Sequence, residues 1–265
     1  IESDYIGHAA GLSARRDSLF EALLNALMRA HRNVDIGDEQ ILSEIATVAD
    51  GRLVVGQMAY RAVVVPQLLT VRASTLALLK QFAAQGGTVL VAEAYPALVD
   101  GRENSADLPA LKAFAPLVKA DAWAAALNPR VAPAFTLAGE KSDQVWTHLR
   151  RVTGGHTLQL SNTSRLESRT LALRLADRDA PVVLLNPVDG RCLSLKPEAD
   201  GAYALAFAPA QTWLVAFGDA ARAFAPDAAY ALPASRRPVA ALSGAWQGRR
   251  VDPNALTLDY ARFSK

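Results

Sequence analysis

The stretch that most constrains this chain is residues 61–92. Residues 61–65 are a compact β-branched run closed by Pro66. Residues 72–85 carry Leu76, Leu79, Phe82 and Ala83 at helical spacing, Gly86-Gly87 follows, and Thr88–Ala92 is a second apolar run. A strand that is apolar on both faces belongs in a parallel sheet covered by helices. Glycine after a helix supplies the left-handed residue that ends it. The unit therefore predicts a right-handed parallel crossover, strand–helix–strand.

The flanking sequence extends that layer. Residues 14–31 predict an amphipathic helix, with Leu19, Phe20, Leu23, Leu24, Leu27 and Met28 on one face. Asp17 stands near its start and His31 and Arg32 near its end, in keeping with the helix dipole. Residues 34–36 predict a short strand, and Asp38 is the N-cap of a helix to about Thr47. Asp50-Gly51 marks a turn. Residues 108–118 and 142–150 predict further helices, with a loop at 128–133.

After His156 the period changes to short strands separated by turn residues. They are predicted at 156–162, 168–175, 181–185, 192–196, 202–207 and 211–217. Such spacing predicts an antiparallel, sandwich-like module. Residues 219–237 are rich in Ala and Pro and read as a linker, followed by strands at 239–242 and 255–260. Two strands do not stand alone as a domain, so they are expected to dock on earlier modules or to begin a further sandwich. The predicted fold class is α/β followed by all-β, a flavodoxin-like parallel layer with a β-sandwich-like module. Its expected divisions are residues 1–152, 153–218 and 219–265.

Composition excludes several functions. With 28 Lys and Arg against 26 Asp and Glu, the net charge is +2, and no clustered basic face is visible. Arg236-Arg237 and Arg249-Arg250 are too short to make one, so no nucleic-acid partner is expected. No apolar run approaches the roughly 20 residues of a membrane helix, and no membrane partner is expected. Cys192 is the single cysteine, so no internal disulfide is available. Its expected role is that of an inert small hydrophobe.

The chemistry-bearing motifs are sparse. Neither GxGxxG nor GxxxxGK[ST] occurs, nor does the GxSxG nucleophile elbow. An amidotransferase-like sheet would carry a nucleophile after a buried strand, whereas residues 61–65 lead into Pro66-Gln67. His8, His31, His148 and His156 show no metal-ligand spacing, so no metal or cofactor is assigned. Asp17 and Glu21, four apart, read as solvent face. Asn162-Thr163-Ser164 reads as a polar strand end. Glu93 follows a predicted parallel strand at its carboxyl end, where open α/β sheets place ligand crevices, and Tyr95 and Arg102 lie in the same loop. These three are the candidate substrate-binding residues, and no catalytic residue is assigned.

Three stretches together resemble one family. "DGRLVVGQMAYRAVVVPQLLTVRASTLALLKQFAAQGGTVL" is similar to the α/β domain beside the barrel of large α-L-rhamnosidase-like glycoside hydrolases, a relative of the β-galactosidase trimerisation domain. "LQLSNTSRLESRTLALRL" with "PVVLLNPVDGRCLSL" resembles the β module that follows, and "LSGAWQGRRVDPNALTLDYARF" the entry to the next sandwich. The resemblance implies an accessory, non-catalytic region of a multidomain polysaccharide-degrading hydrolase. It implies catalytic carboxylates in a (β/α)₈ barrel upstream of Ile1 and a periplasmic or secreted bacterial setting. The implied partners are the remaining domains of a longer chain and carbohydrate; oligomeric state is left open. The competing reading is a stand-alone carbohydrate-binding or protein-interaction module. That would need an aromatic platform, yet Trp123, Trp146, Trp213 and Trp246 are scattered.

Overall fold

A computed structural model describes residues 10–103, 106–119, 122–233 and 244–245, with side chains from residue 15 onward. The strands expected at 239–242 and 255–260 lie outside the described residues, as do His8, Trp246 and the two Arg-Arg pairs.

The chain is α/β followed by β-rich sheets. Ala62–Val65, helix Ala73–Ala84 and Thr88–Ala92 form the expected crossover, with the strands parallel from Ala62↔Thr88 to Val65↔Val91. Leu117–Val118 adds a third parallel strand beside Thr88–Ala92, which is thereby central. Side chains alternate across a strand, and this alternation divides the core. Val65, Val89 and Val91 face Leu76, Leu79 and Phe82 of the crossover helix. Leu90, Ala92 and Val118 face Leu23 and Leu27 of helix Ala10–Arg29, with Trp123 and Leu127. Leu90 and Val91 are completely buried, which is why the run is apolar from Val89 to Ala92. Truncating a side chain such as Leu90 to Ala costs about 2–5 kcal/mol.

The crossover helix ends in a Schellman motif. Gly87 N–H donates to Phe82 O at 2.9 Å and Gly86 N–H to Ala83 O at 3.0 Å. Gly86 has φ +89°, the left-handed residue predicted here. Gly87 serves a different need, since a Cβ there would lie 2.1 Å from the Phe82 ring.

Several elements differ from expectation. Residues 46–60 form a three-stranded antiparallel meander, Ala46–Ala49, Arg52–Val55 and Met58–Tyr60. The Asp50-Gly51 turn that joins the first two has φ of +50° and +67°, the pair of positive values a tight hairpin needs. Residues 34–36 belong to no helix or strand. The helix expected at 108–118 is helix Asp107–Phe114, which stops before Pro116 and leaves Leu117–Val118 free to pair. The helix expected at 142–150 is a single 3₁₀ turn, Ser142–Gln144, and then strand Val145–Val152. Val145, Thr147 and Leu149 point inward and Trp146, His148 and Arg150 outward, a period of two rather than 3.6. Within the expected linker, Ala228–Ala229 pairs in parallel with Cys192–Ser194.

The β region is a sandwich of two sheets. One has six strands in the order Val145–Val152, Gly155–Asn162, Thr212–Gly218, Val182–Leu185, Cys192–Ser194, Ala228–Ala229. The other has Tyr203–Phe207, Arg169–Leu175 and Phe135–Ala138. Leu158, Leu160 and Val215 of the first sheet share one apolar core with Leu171, Leu173 and Leu205 of the second. Strand pairing crosses residue 152, because Val145–Val152 and Gly155–Asn162 form one hairpin.

Candidate functional site

Glu93 is the first residue past the central strand, and its backbone lies in the left-handed region at φ +60°. Its N–H donates to Val118 O at 3.0 Å, so the turn is locked to the neighbouring strand. Lys119 reaches back from that strand's end. Its Nζ lies 3.3 Å from Glu93 Oε2 and donates to Glu93 O at 3.0 Å. Oε1 is enclosed and has no partner among the described residues. Tyr95 is held differently: its hydroxyl donates to Ala115 O at 2.9 Å, and Lys112 Nζ sits 5.5 Å from its ring centre. Arg102 is bound back to Val99 through its backbone and its side chain is exposed. Among the described residues no hydrogen bond or ion pair joins any two of Glu93, Tyr95 and Arg102.

A cleft of about 340 Å³ opens where the end of helix Ala10–Arg29, the meander and the loop before Phe135 meet. Its frame is hydrogen-bonded across long sequence separations. Arg32 Nη1 donates to Val131 O at 2.9 Å, and Nη2 to Asn128 Oδ1. The Asn33 amide donates to Leu149 O and accepts from Leu149 N at 3.1 Å, mimicking a strand partner. His31, left-handed at φ +55°, bonds Ser142 O through Nε2 at 3.0 Å. Burial holds its pKa below the ordinary value, against weaker upward pulls from the Ser142 carbonyl and Asp143. The Tyr60 hydroxyl donates to Asp35 Oδ2 at 2.8 Å. Burial, reinforced by Asp35, pushes that phenol up to about 12, so it stays protonated at neutral pH.

Arg52 and Arg61 line the same cleft. Leu53 pairs with Tyr60 at the end of the meander's second ladder, Arg52 stands just before Leu53, and Arg61 is the bend just after Tyr60. The sequence reading passed over this pair. A hairpin reading of residues 52–61 about Gly56-Gln57 would have found it, since the two arginines are equidistant from that turn.

Cys192, His156 and Asn162 lie in the β sandwich. Cys192 is buried, its N–H donates to Asp227 Oδ2 at 2.9 Å, and burial followed by Asp227 raises its thiol pKa. His156 stacks on Phe217 with ring centres 5.0 Å apart. Among the described residues no three His, Cys, Asp or Glu side chains form a metal-binding group. Asn162 is buried and brackets the strand end, donating to Glu167 O and Ala208 O.

No protein-family model and no curated protein matches the chain. Solved structures do. A rhamnosidase from Novosphingobium sp. PP1Y matches with a TM-score of 0.54 and 18% identity, over 75% of this chain and 21% of that one. An apo GH42 exo-carrageenase from Bacteroides ovatus matches at 0.51 and 14%, over 76% and 26%. A β-galactosidase from Bacillus circulans sp. alkalophilus matches at 0.51 and 12%, over 77% and 37%. The fold is glycoside-hydrolase-like. The chain spans between about a fifth and two-fifths of those structures, and both the parallel layer and the sandwich are needed to reach three-quarters of its own length.

Proposed function

We propose that this chain is an accessory, non-catalytic region of a multidomain glycoside hydrolase, with α-L-rhamnosidase as the leading activity of the whole protein. In this reading its partners are the remaining domains of a longer chain, set in a bacterial periplasm or outside the cell. The observation that supports it most is the extent of the likeness: three-quarters of this chain matches 21% of a rhamnosidase. The loop after the central strand agrees with a supporting role. Glu93 is tied to Lys119 and Tyr95 to Ala115, whereas glycosidase chemistry needs two carboxylates facing one bond.

The test is turnover of p-nitrophenyl α-L-rhamnoside and β-galactoside by the purified 265-residue chain, beside the full-length protein encoded at its locus. Turnover is expected from the full-length protein alone. Hydrolysis by the 265-residue chain that Glu93→Gln abolishes would overturn the accessory role.

A further inference from the structure

We infer that the cleft at the Arg52–Arg61 pair binds an anionic sugar, a pyranose bearing a carboxylate or sulfate. The charge arrangement carries the argument. Arg32, Arg52 and Arg61 all line the cleft, and no Asp or Glu is among its described lining residues. Asp35, which accepts from the Tyr60 hydroxyl, is not among those lining residues. Like charges gathered in one cleft repel. Yet Arg52 and Arg61 both line it, and neither side chain has a hydrogen bond or ion pair among the described residues. Arg32 is fixed by Val131 and Asn128, which spend two of its five donors. A bound anion relieves this repulsion, and the guanidinium fork matches a carboxylate or sulfate in two-point geometry.

The rest of the wall suits a sugar ring. Val64, Leu27 and Leu127 offer apolar surface beside the protonated Tyr60 hydroxyl. A volume of about 340 Å³ lies at the small end of ligand pockets, about 300–1,000 Å³. The anion half of the inference stands on the arginines; the sugar half rests on the glycosidase reading above.

Isothermal titration calorimetry on the 265-residue chain separates the two. The titrants are galacturonate, galactose 6-sulfate, galactose and sodium sulfate. Saturable binding of at least one acidic sugar is expected, weakened by added salt, with no saturation by galactose. Arg61→Gln and Arg52→Gln should each weaken it by about tenfold or more. Arg222→Gln, at an exposed pair with Asp219, should leave it unchanged. Far-ultraviolet circular dichroism of each variant checks folding, which the exposed position of Arg61 favours. Equal binding of galactose, full binding by both Gln variants, or no saturable binding overturns the site. Sulfate binding as tightly as the acidic sugars overturns the sugar half. None of these results bears on the turnover assay, so failure of this site and failure of the accessory role are read separately.

Discussion

The side-chain amide of Asn162 donates to the carbonyl of Ala208, 2.9 Å away and 46 residues on, closing the end of one sheet onto the turn beside it. The same amide donates to Glu167 O at 2.8 Å, and its Oδ1 accepts from Ser164 N at 3.2 Å. All three bonds are made at a residue only 2% exposed. Asn162→Ala therefore leaves Glu167 O and the Ser164 N–H without this partner and takes one of two donors from Ala208 O, which keeps the Gln211 N–H, at about 1–3 kcal/mol for each group left buried and unsatisfied. The expected net loss is about 2–3 kcal/mol, read as a lower urea midpoint with unchanged slope. An unaltered midpoint would show that water replaces the amide freely.

The two glycines after the crossover helix should respond differently. Gly86→Ala meets open space but must keep φ near +89°, which costs about 1 kcal/mol. Gly87→Ala sets a methyl 2.1–2.4 Å from three Phe82 ring atoms, and that ring is fully buried. Moving it disturbs the core between helix and sheet, so Gly87→Ala should be the worse of the two in thermal melts. The reverse order would mean that the Phe82 ring shifts easily.

His31 predicts an acid-sensitive joint. Burial lowers its pKa below the ordinary 6.5, so the folded state prefers the neutral ring. Below 6.5 the unfolded chain binds the proton first, and stability falls as pH drops toward and through the folded value. His31→Gln keeps a donor for Ser142 O without titrating. The stability difference between wild type and this variant should be constant above about pH 7 and should shift against wild type in acid. Parallel denaturation midpoints from pH 7.5 to 5 would contradict a buried neutral ring.

Where the pattern is local, the sequence is readable. Thr88–Ala92 is apolar at four of its five positions, Val89 to Ala92, because different helices cover its two faces, and that run reads as a central strand. The strands from Gly155 to Gly218 are legible from their turn residues, such as Asn186-Pro187 and Asp189-Gly190. Val145–Val152 was masked by its outer face: Trp146, His148 and Arg150 carry the bulk, and the inward Thr147 is polar. The meander was hidden by length, since strands of three or four residues barely show a period. Beyond its Arg52 and Arg61, the cleft was not legible, because Arg32 and Leu149 reach it only through tertiary packing. Glu93 could be placed at a strand end from sequence, but neither its positive φ nor its pairing with Lys119 could.

That positive φ supplies the last prediction. A non-glycine residue at φ +60° costs roughly 1–2 kcal/mol relative to an ordinary conformation. The Lys119 pair returns little, because the lysine side chain is 63% exposed and pairs of that kind give about 0–1 kcal/mol. The enclosed, unpartnered Oε1 is a further cost. Glu93→Gly removes both penalties and should leave the chain as stable as wild type or more so. Glu93→Ala keeps the strained φ, loses the pair, and should be less stable than Glu93→Gly by about 1 kcal/mol. Thermal melts of the three proteins at one pH decide it. If glycine wins, the carboxylate stands at the strand end at a net cost to stability, and Glu93 becomes the first residue to vary in ligand-binding or domain-docking assays. If wild type is clearly the most stable, the Lys119 contact is worth more than an exposed ion pair, and Glu93 is there to hold the turn.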